Sequence, residues 1–511
     1  RPSAKPRVIL ATNLAETTLT VPDVVAVIDT GLHKVARYDA ERAIDSLETE
    51  RVSQDSADQR AGRAGRVRAG TAIRLWDARD RLRPHREPEI ARVDLAPTVL
   101  DLIAWGGSPR TFAWFDAPPS WAIDAALDLL RRLHAIDAEG RLTTVGRSLQ
   151  RLPLHPRLGR ILLASHAAPE AARACALLSE RHLVPPRRGA TTCDLLAAVD
   201  REQALPPHVL GVAREIREAF RTATGQPPAA RIDDESFRRA VLAAYPDRVA
   251  RRRTPKGDRL VLASGTGAKL ARESGVHDAE FLVAVDVIAG SAPGVEALVR
   301  LATRVEREWL TPTSSEVVHA IDAEGVVRAT RIDHYEQLAL GEHPMRIDPE
   351  AAATLVADGY LKRGPSEADR QTLSRIRFAG LAAHVTFDEL VRRASVGARR
   401  LSDVHIDACL PADLARRLDK DAPAWLALPA ARRARVAYPD DGRAVVAVKL
   451  QYVFGLSQTP RLGPRRTPVT FELLAPNGRP VQVTSDLASF WTTAYPELRK
   501  ALKARYPKHE W

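Results

Sequence analysis

The chain opens on short, continuous apolar runs rather than alternating ones. Arg7–Ala11 is the first; Val24–Ile28 (Val-Val-Ala-Val-Ile) is the second and ends at Asp29-Thr30-Gly31; Thr71–Trp76 is the third. Continuous β-branched runs of this length predict strands buried in a parallel sheet. Between them, Lys34–Tyr38 and Leu47–Val52 alternate, which predicts a hairpin. The pattern reads as the later strands of an α/β lobe, entered partway through.

Residues 81–93 are charged and punctuated by proline, a boundary signal. Asp94–Trp105 then sets Leu95, Val99, Leu102 and Ile103 at helical spacing, and Trp121–Leu133 repeats the pattern. Arg141–Gly146, after Gly140, reads as a strand with a turn at its end, so this stretch predicts a winged helix. Leu158–Cys193, Leu205–Phe220 and Arg231–Tyr245 are Ala- and Leu-rich and predict a helical bundle, broken at Pro185-Pro186 and Pro206-Pro207. From Arg248 to about Ile332, the segments Leu260–Ala263, Phe281–Val287, Val317–Ala320 and Val326–Arg331 alternate with Gly and Pro turns and predict a small β-barrel. A mixed α+β region follows residue 370 and ends in an aromatic tail.

Composition sharpens this picture. A length of 511 residues suggests three to five domains. Aromatics are only 5%, so Leu, Val, Ile and Ala must fill the cores. The net charge of +12 favours polyanion partners without proving them. Cys175, Cys193 and Cys409 are far apart, with no CxxC or HExxH, so neither a disulfide framework nor a metal site is expected. No apolar run is long enough to span a bilayer and no secretory signal opens the chain, so a reducing cytoplasm is the expected setting. The sole methionine is Met345 and residue 1 is Arg1, which suggests a portion of a longer product.

The strongest chemical signal is Gln59-Arg60-Ala61-Gly62-Arg63-Ala64-Gly65-Arg66. Arginine recurs at every third position, which on a helix keeps the guanidiniums on neighbouring faces. Two glycines weaken a helix by about 1 kcal/mol each relative to alanine, so stability alone explains the pattern poorly. Arginine suits planar, multi-donor contact with phosphate oxygens. Arg248–Arg253 with Lys256 is a second basic run, balanced between a solvated face and a single-strand contact. The terminal aromatics could stack on bases, but a domain core is the better-supported use.

The arginine segment resembles the sixth motif of superfamily-two helicases in its DEAH-box form. Ala11-Thr12-Asn13-Leu14-Ala15-Glu16-Thr17-Thr18-Leu19-Thr20-Val21, followed by Val27–Gly31, resembles the fifth motif, in the same order. Pro22 shifts the acid that commonly follows that motif to Asp23. Leu95 to Gly146 resembles the winged helix that follows these lobes, with His134 where the family has a small residue. Leu152-Pro153-Leu154 is similar to the start of the helical bundle, and Tyr245–Arg252 to the start of an oligonucleotide-binding (OB) barrel. The tail, with Phe490-Trp491, Tyr495 and Arg505–His509, is similar to the HrpB type of the family.

The resemblance implies a multidomain α/β, α and β architecture. Its parts would be a partial RecA-like lobe (residues 1–80), a winged helix (81–150), a helical bundle (151–247), an OB-like barrel (248–370) and an HrpB-type α+β domain (371–511). It implies ATP-dependent unwinding of, or translocation on, single-stranded RNA, with DNA as the alternative, by a monomer. Gln59 would orient the attacking water, and Arg63 and Arg66 would be arginine fingers. Thr18 and Thr20 would lie near the nucleotide. Thr12 and Asn13 would touch the strand backbone; Arg248, Arg251 and Arg252 are further candidates for strand contact from the basic run itself, with a solvated face as the alternative. Arg60 would pair with a carboxylate. ATP and Mg²⁺ would be gripped by another lobe, since the 511 residues contain neither G-x-x-x-x-G-K-[ST] nor Asp-Glu-x-His. Gly265–Lys269 lacks that spacing and is expected to be a barrel loop. The competing expectation is a nucleic-acid-binding or regulatory module without turnover of its own.

Overall fold

A computed structural model describes residues 7–17, 21–39, 44–179, 189–200, 205–288, 295–509 and 511. Pro185-Pro186, Thr18 and Thr20 lie outside the described residues. The chain divides into two compact units, Arg1–Ser314 with Asp333–Leu340, and Ser315–Ile332 with Gly341–Trp511.

The first unit begins with α1 (Leu14–Thr17), β1 (Ala26–Asp29), β2 (Leu32–Asp39), β3 (Ile44–Arg51), α2 (Gln54–Ala61) and β4 (Thr71–Arg74). β1 and β4 pair in parallel, Ala26 opposite Thr71 and Asp29 opposite Arg74. β2 and β3 form the expected hairpin, Leu32 opposite Arg51. The burial expected of the opening runs is corrected. Ile28 is 67% exposed and Ile73 48%, while Val8 and Leu10 are exposed and outside any strand. A parallel strand needs cover on both faces, and among the described residues this sheet has two strands only.

Next come α3 (Ala96–Ala104), α4 (Ser120–Arg132) and α5 (Thr144–Gln150), around Val99, Leu100, Leu130 and Leu133. Here too the sequence reading is corrected: Thr144–Gly146 begins a helix instead of ending a strand. The Thr143 hydroxyl caps it, accepting from the Gly146 N–H at 3.0 Å and donating to the His134 carbonyl at 2.6 Å. The wing is reduced to one bridge, Ile136 opposite Leu142. His134, where a small residue was expected, adopts φ 57°. That conformation costs a non-glycine residue about 1–2 kcal/mol.

Helices α6 (Pro156–Ala164), α7 (Pro169–Ser179), α8 (Asp194–Val199), α9 (Pro207–Thr224) and α10 (Asp234–Ala244) follow, closing on Ile161, Leu177, Phe220 and Phe237. Strands β5 (Val249–Arg252), β6 (Arg259–Leu262), β7 (Gly267–Leu270), β8 (Phe281–Ile288) and β9 (Ala297–Val305) make a closed barrel in the order β5-β6-β7-β9-β8. Gly265 turns β6 into β7, so Gly265–Lys269 is a barrel hairpin. Asp194 of α8 joins helices to barrel. Its carboxylate accepts from Ser274 Oγ at 2.6 Å, Gly275 N at 2.8 Å and Ala302 N at 2.9 Å. Burial nonetheless pushes this carboxyl above its usual range. Asp194→Ala would leave three buried donors unsatisfied, and a loss of about 3 kcal/mol is expected in urea unfolding. A midpoint shift worth less than about 1 kcal/mol would refute the strut role.

β10 (Ser314–Ile321), β11 (Val327–Tyr335) and β12 (Leu338–Pro344) form a separate three-stranded sheet. Val317–Ala320 and Val326–Arg331 therefore lie outside the barrel that the sequence assigned them to. The barrel closes through β5–β8 pairing, which leaves no edge to extend.

The second unit continues with α11 (Pro349–Arg363), α12 (Glu367–Phe378), α13 (Phe387–Ala394) and α14 (Ala412–Asp421). α12 runs through residue 370, where a boundary was drawn. Then come β13 (Trp425–Leu428), β14 (Arg432–Arg435), β15 (Ala444–Lys449), β16 (Arg461–Leu462), β17 (Thr467–Leu474), β18 (Pro480–Thr484), α15 (Leu487–Ser489) and α16 (Tyr495–Arg505). β15 and β17 pair in parallel, and β16 and β18 pair with β17 antiparallel. The aromatic tail packs inward. Phe490 is buried, and Trp491 donates its indole N–H to the Leu456 carbonyl at 2.8 Å while its ring lies 5.0 Å from that of Tyr495. Ala430 and Ala431, between β13 and β14, both adopt φ 58°. Ala431→Gly is expected to raise stability by about 1 kcal/mol, read as a higher melting temperature of this unit. A lower melting temperature would refute the strain. Among the described residues, no helix is long and apolar enough to cross a membrane.

Candidate active-site arginines

α2 begins after Ser53, which holds extended backbone, and turns Ser56 and Ala57 inward. The helical expectation for the arginine segment holds to Ala61. Gly62–Gly65 then tighten into a 3-10 turn with Ala64 buried, in keeping with glycine's poor helix propensity. Just beyond, Gly70 is sterically required, because a Cβ there would lie 2.0 Å from the Ala64 carbonyl oxygen. Gly62 and Gly65 face open space, with nothing within 4 Å of where a Cβ would stand.

Arg60 points inward, as a carboxylate partner should. Its Nε donates to Glu16 Oε2 at 3.1 Å, and its Nη1 to Asp29 Oδ1 at 2.9 Å and to the Leu32 carbonyl at 3.2 Å. Glu16 is buried and also accepts from Ser56 Oγ at 2.7 Å and from Arg86. Asp29 accepts from Gly31 N at 3.0 Å. Gly31 adopts φ 71°, and a Cβ on it would meet the Trp76 ring at 2.7 Å. One guanidinium thus clamps α1, the end of β1 and α2. Burial, with Arg86 and Arg60 nearby, holds the His33 imidazole below its usual pKa.

The other motif residues lie elsewhere on the same segment. Gln59, on α2, and Arg66, just past the 3-10 turn, are exposed. Arg63 is half-buried and donates from Nε to the Glu16 carbonyl at 3.0 Å. Thr12 and Asn13 are exposed at the start of α1, where their carbonyls accept from Ala15 N at 3.1 Å and Glu16 N at 3.0 Å. Asp23, after Pro22, adopts φ 60°.

The strand-contact expectation for the second basic run is corrected at two positions. Arg248 is buried and donates from Nη1 to the Val285 carbonyl at 3.1 Å. Arg252 is buried and donates to the carbonyls of Ala279 at 2.9 Å and Val276 at 2.8 Å. These guanidiniums satisfy barrel carbonyls that would otherwise be orphaned. Arg251, between them on β5, is partly exposed and donates to Glu280 at 3.1 Å and to the Ala339 carbonyl at 2.9 Å.

Sequence reasoning missed Arg86, which reaches Glu16 from 70 positions away; no local pattern signals so distant a partner. It also missed the bonding of His155. That ring accepts from Arg157 N at 3.2 Å and meets Asp94 Oδ2 at 3.0 Å.

Comparison with known proteins adds five findings. Residues 386–511 match the family described as ATP-dependent helicase C-terminal, HrpB_C. Residues 126–154 match the winged-helix helicase associated domain, HA2. The chain is 32% identical to the ATP-dependent RNA helicase HrpB of Escherichia coli, over 100% of this chain and 66% of that protein. It is 42% identical over 165 residues to the Escherichia coli ATP-dependent RNA helicase HrpA, covering 31% of this chain and 13% of that one. Among solved structures, the E. coli DExH-box NTPase HrpB aligns with a TM-score of 0.56 at 30% identity, covering 100% of this chain and 66% of that chain. The chain therefore spans just under two thirds of the length of HrpB.

Proposed function

Because the chain belongs to the HrpB-like DEAH-box helicases, we propose that it supplies the arginine side of an ATP site and part of a single-strand channel in an ATP-dependent RNA helicase. One observation carries this reading. Arg60 is locked between Glu16 and Asp29, while Gln59 and Arg66 from the same segment face outward beside uncrowded glycines. A purely structural helix has no use for that division. It suits a surface that receives another lobe carrying a triphosphate.

In this reading Arg66, with Arg63 turned from the Glu16 carbonyl, neutralises charge on the γ-phosphate oxygens as the bond to the leaving diphosphate breaks. Gln59 holds the attacking water in line. Mg²⁺, when bound, would be held by the opposite lobe and would supply further charge neutralisation to the phosphates. Thr18 and Thr20 line the nucleotide side, and Thr12 and Asn13 touch the strand backbone. Arg251 is the barrel arginine retained as a strand contact. We read the β1–β4 region as part of a RecA-like lobe, β5–β9 as OB-like and the working form as a monomer.

A second reading, a binding or regulatory module without turnover, is favoured for the isolated chain by the absence of a phosphate loop from its 511 residues. The test compares RNA-stimulated ATP turnover by this chain with turnover by a version carrying an upstream lobe. Turnover is expected only in the longer protein. Appreciable turnover by the 511-residue chain would overturn the division of labour.

A further inference from the structure

In the second unit, β13 and β14 form a two-stranded ribbon with Trp425 opposite Arg435, Ala427 opposite Arg433 and Leu428 opposite Arg432. Leu426, Leu428 and Ala434 are buried, so one ribbon face lies on the core. The alternate positions Trp425, Arg433 and Arg435 are exposed. Trp425, a large apolar side chain, is 51% exposed. The Arg433 guanidinium lies over its ring at 5.3 Å. At the turn end of the ribbon, exposed Arg432 lies over the exposed Tyr452 ring at 4.3 Å.

Arg375, Arg377, Arg392 and Arg443 of the same unit all pair with carboxylates. Among the described residues, none of Arg432, Arg433 and Arg435 makes an ion pair. Asp440 and Asp441, the first acids after the ribbon, are bonded to Arg377 and Arg443. The ribbon therefore carries three cations without an ion pair, Arg433 and Arg435 on its outer face and Arg432 at its turn end, and two of them, Arg432 and Arg433, lie over aromatic rings.

We propose that the β13–β14 ribbon is an accessory binding site for single-stranded RNA, with Arg432, Arg433 and Arg435 on phosphates and Trp425 and Tyr452 as stacking platforms for bases. Arginine held flat on an aromatic ring presents a preorganised planar cation, and both the plane and the ring accept a base. Interleaved aromatics favour a nucleic acid over an acidic peptide, which needs cations alone. The choice of RNA rests on the function proposed above; affinity for a single strand does not depend on ATP hydrolysis.

The test measures binding of a fluorescent single-stranded RNA 20-mer to the full chain by anisotropy across a salt series. The Arg432→Glu/Arg433→Glu/Arg435→Glu variant is expected to bind at least about tenfold more weakly, with a salt slope lower by about 2 for three lost phosphate contacts. Trp425→Ala is expected to weaken binding by about tenfold with the salt slope retained. The control is Arg416→Glu/Arg417→Glu on the exposed side of α14, with melting temperatures taken for every variant. Unchanged affinity in a folded ribbon variant would overturn the site, as would an equal loss in the control. Equal loss of polyglutamate binding, with RNA binding kept, would assign the ribbon to an acidic protein. If RNA binding is lost from the ribbon variant while a longer chain still hydrolyses ATP, the site stands apart from the ATP reading; if hydrolysis fails and the ribbon still binds, the ATP reading alone falls.

Discussion

Arg66→Ala, in a chain that also carries a phosphate-gripping lobe, is expected to lower RNA-stimulated ATP turnover by about 10³-fold or more, with RNA affinity nearly unchanged. The reason is positional. Arg66 is exposed at the end of the 3-10 turn, past the glycines that leave space for an approaching surface. On the proposed finger role, removing it would take away charge stabilisation in the transition state while leaving the clamp around Arg60 intact. The loss should fall on kcat and little on the KM for ATP. Arg66→Lys should restore only part of the rate, since a point charge lacks the planar fork. Arg60→Ala is the contrasting variant. It would strand the buried Glu16 and Asp29 carboxylates and should lower the melting temperature as well as turnover. Unchanged turnover in Arg66→Ala would refute the finger assignment. Equal thermal destabilisation by both variants would reduce Arg66 to a structural residue.

Much of this arrangement was legible in the residues. The alternation at Lys34–Tyr38 and Leu47–Val52 gave the hairpin directly, because a period of two has one good structural solution. The heptad-like Leu and Ala spacings placed α3, α4, α9 and α10. Three failures share a cause: local pattern does not say what lies opposite. Val24–Ile28 reads as buried, but burial depends on neighbouring strands and covering helices, not on the run itself. Arg248 and Arg252 read as surface cations, yet Arg248, in the turn just before β5, and Arg252, at the end of β5, turn inward to the carbonyls of Val285, Ala279 and Val276. Val317–Ala320 and Val326–Arg331 have strand composition, but ring closure through β5 and β8 is a long-range event that strand composition cannot report. At the candidate site the sequence already set Arg60 apart as a carboxylate partner; which carboxylates it meets, Glu16 and Asp29, is a long-range fact that the motif does not carry.

Asp247→Ala is expected to lower the stability of the first unit by about 3–5 kcal/mol. Arg157 of α6 is 3% exposed, and its two terminal nitrogens donate to the two Asp247 oxygens at 2.6 and 2.7 Å. Its Nη1 also donates to the Ala244 carbonyl at 3.2 Å, and the Tyr245 ring lies 5.3 Å from the guanidinium. Burial alone would raise the Asp247 carboxyl, but Arg157 and then Arg248 hold it below the usual carboxylate range. Deleting the carboxylate leaves a buried cation without its counter-charge. Arg157→Leu/Asp247→Leu should therefore cost less than Asp247→Ala, because both desolvated charges go together. The pH dependence follows from the lowered pKa. The pair's contribution is complete above the unfolded-state value of about 3.9 and is lost as pH falls through the lower folded-state value. Urea midpoints from pH 7 down to pH 2 should show the wild type losing this increment below about pH 4, while Asp247→Ala shows none of it. A double variant as unstable as the single one would refute the charge-pair account and leave a packing defect. The pair sits where α10 hands the chain to β5, so its loss should loosen bundle against barrel before either melts alone. Hydrogen exchange should then rise first in α6 and at the start of β5, and any single-strand path built across those elements would lose its fixed spacing.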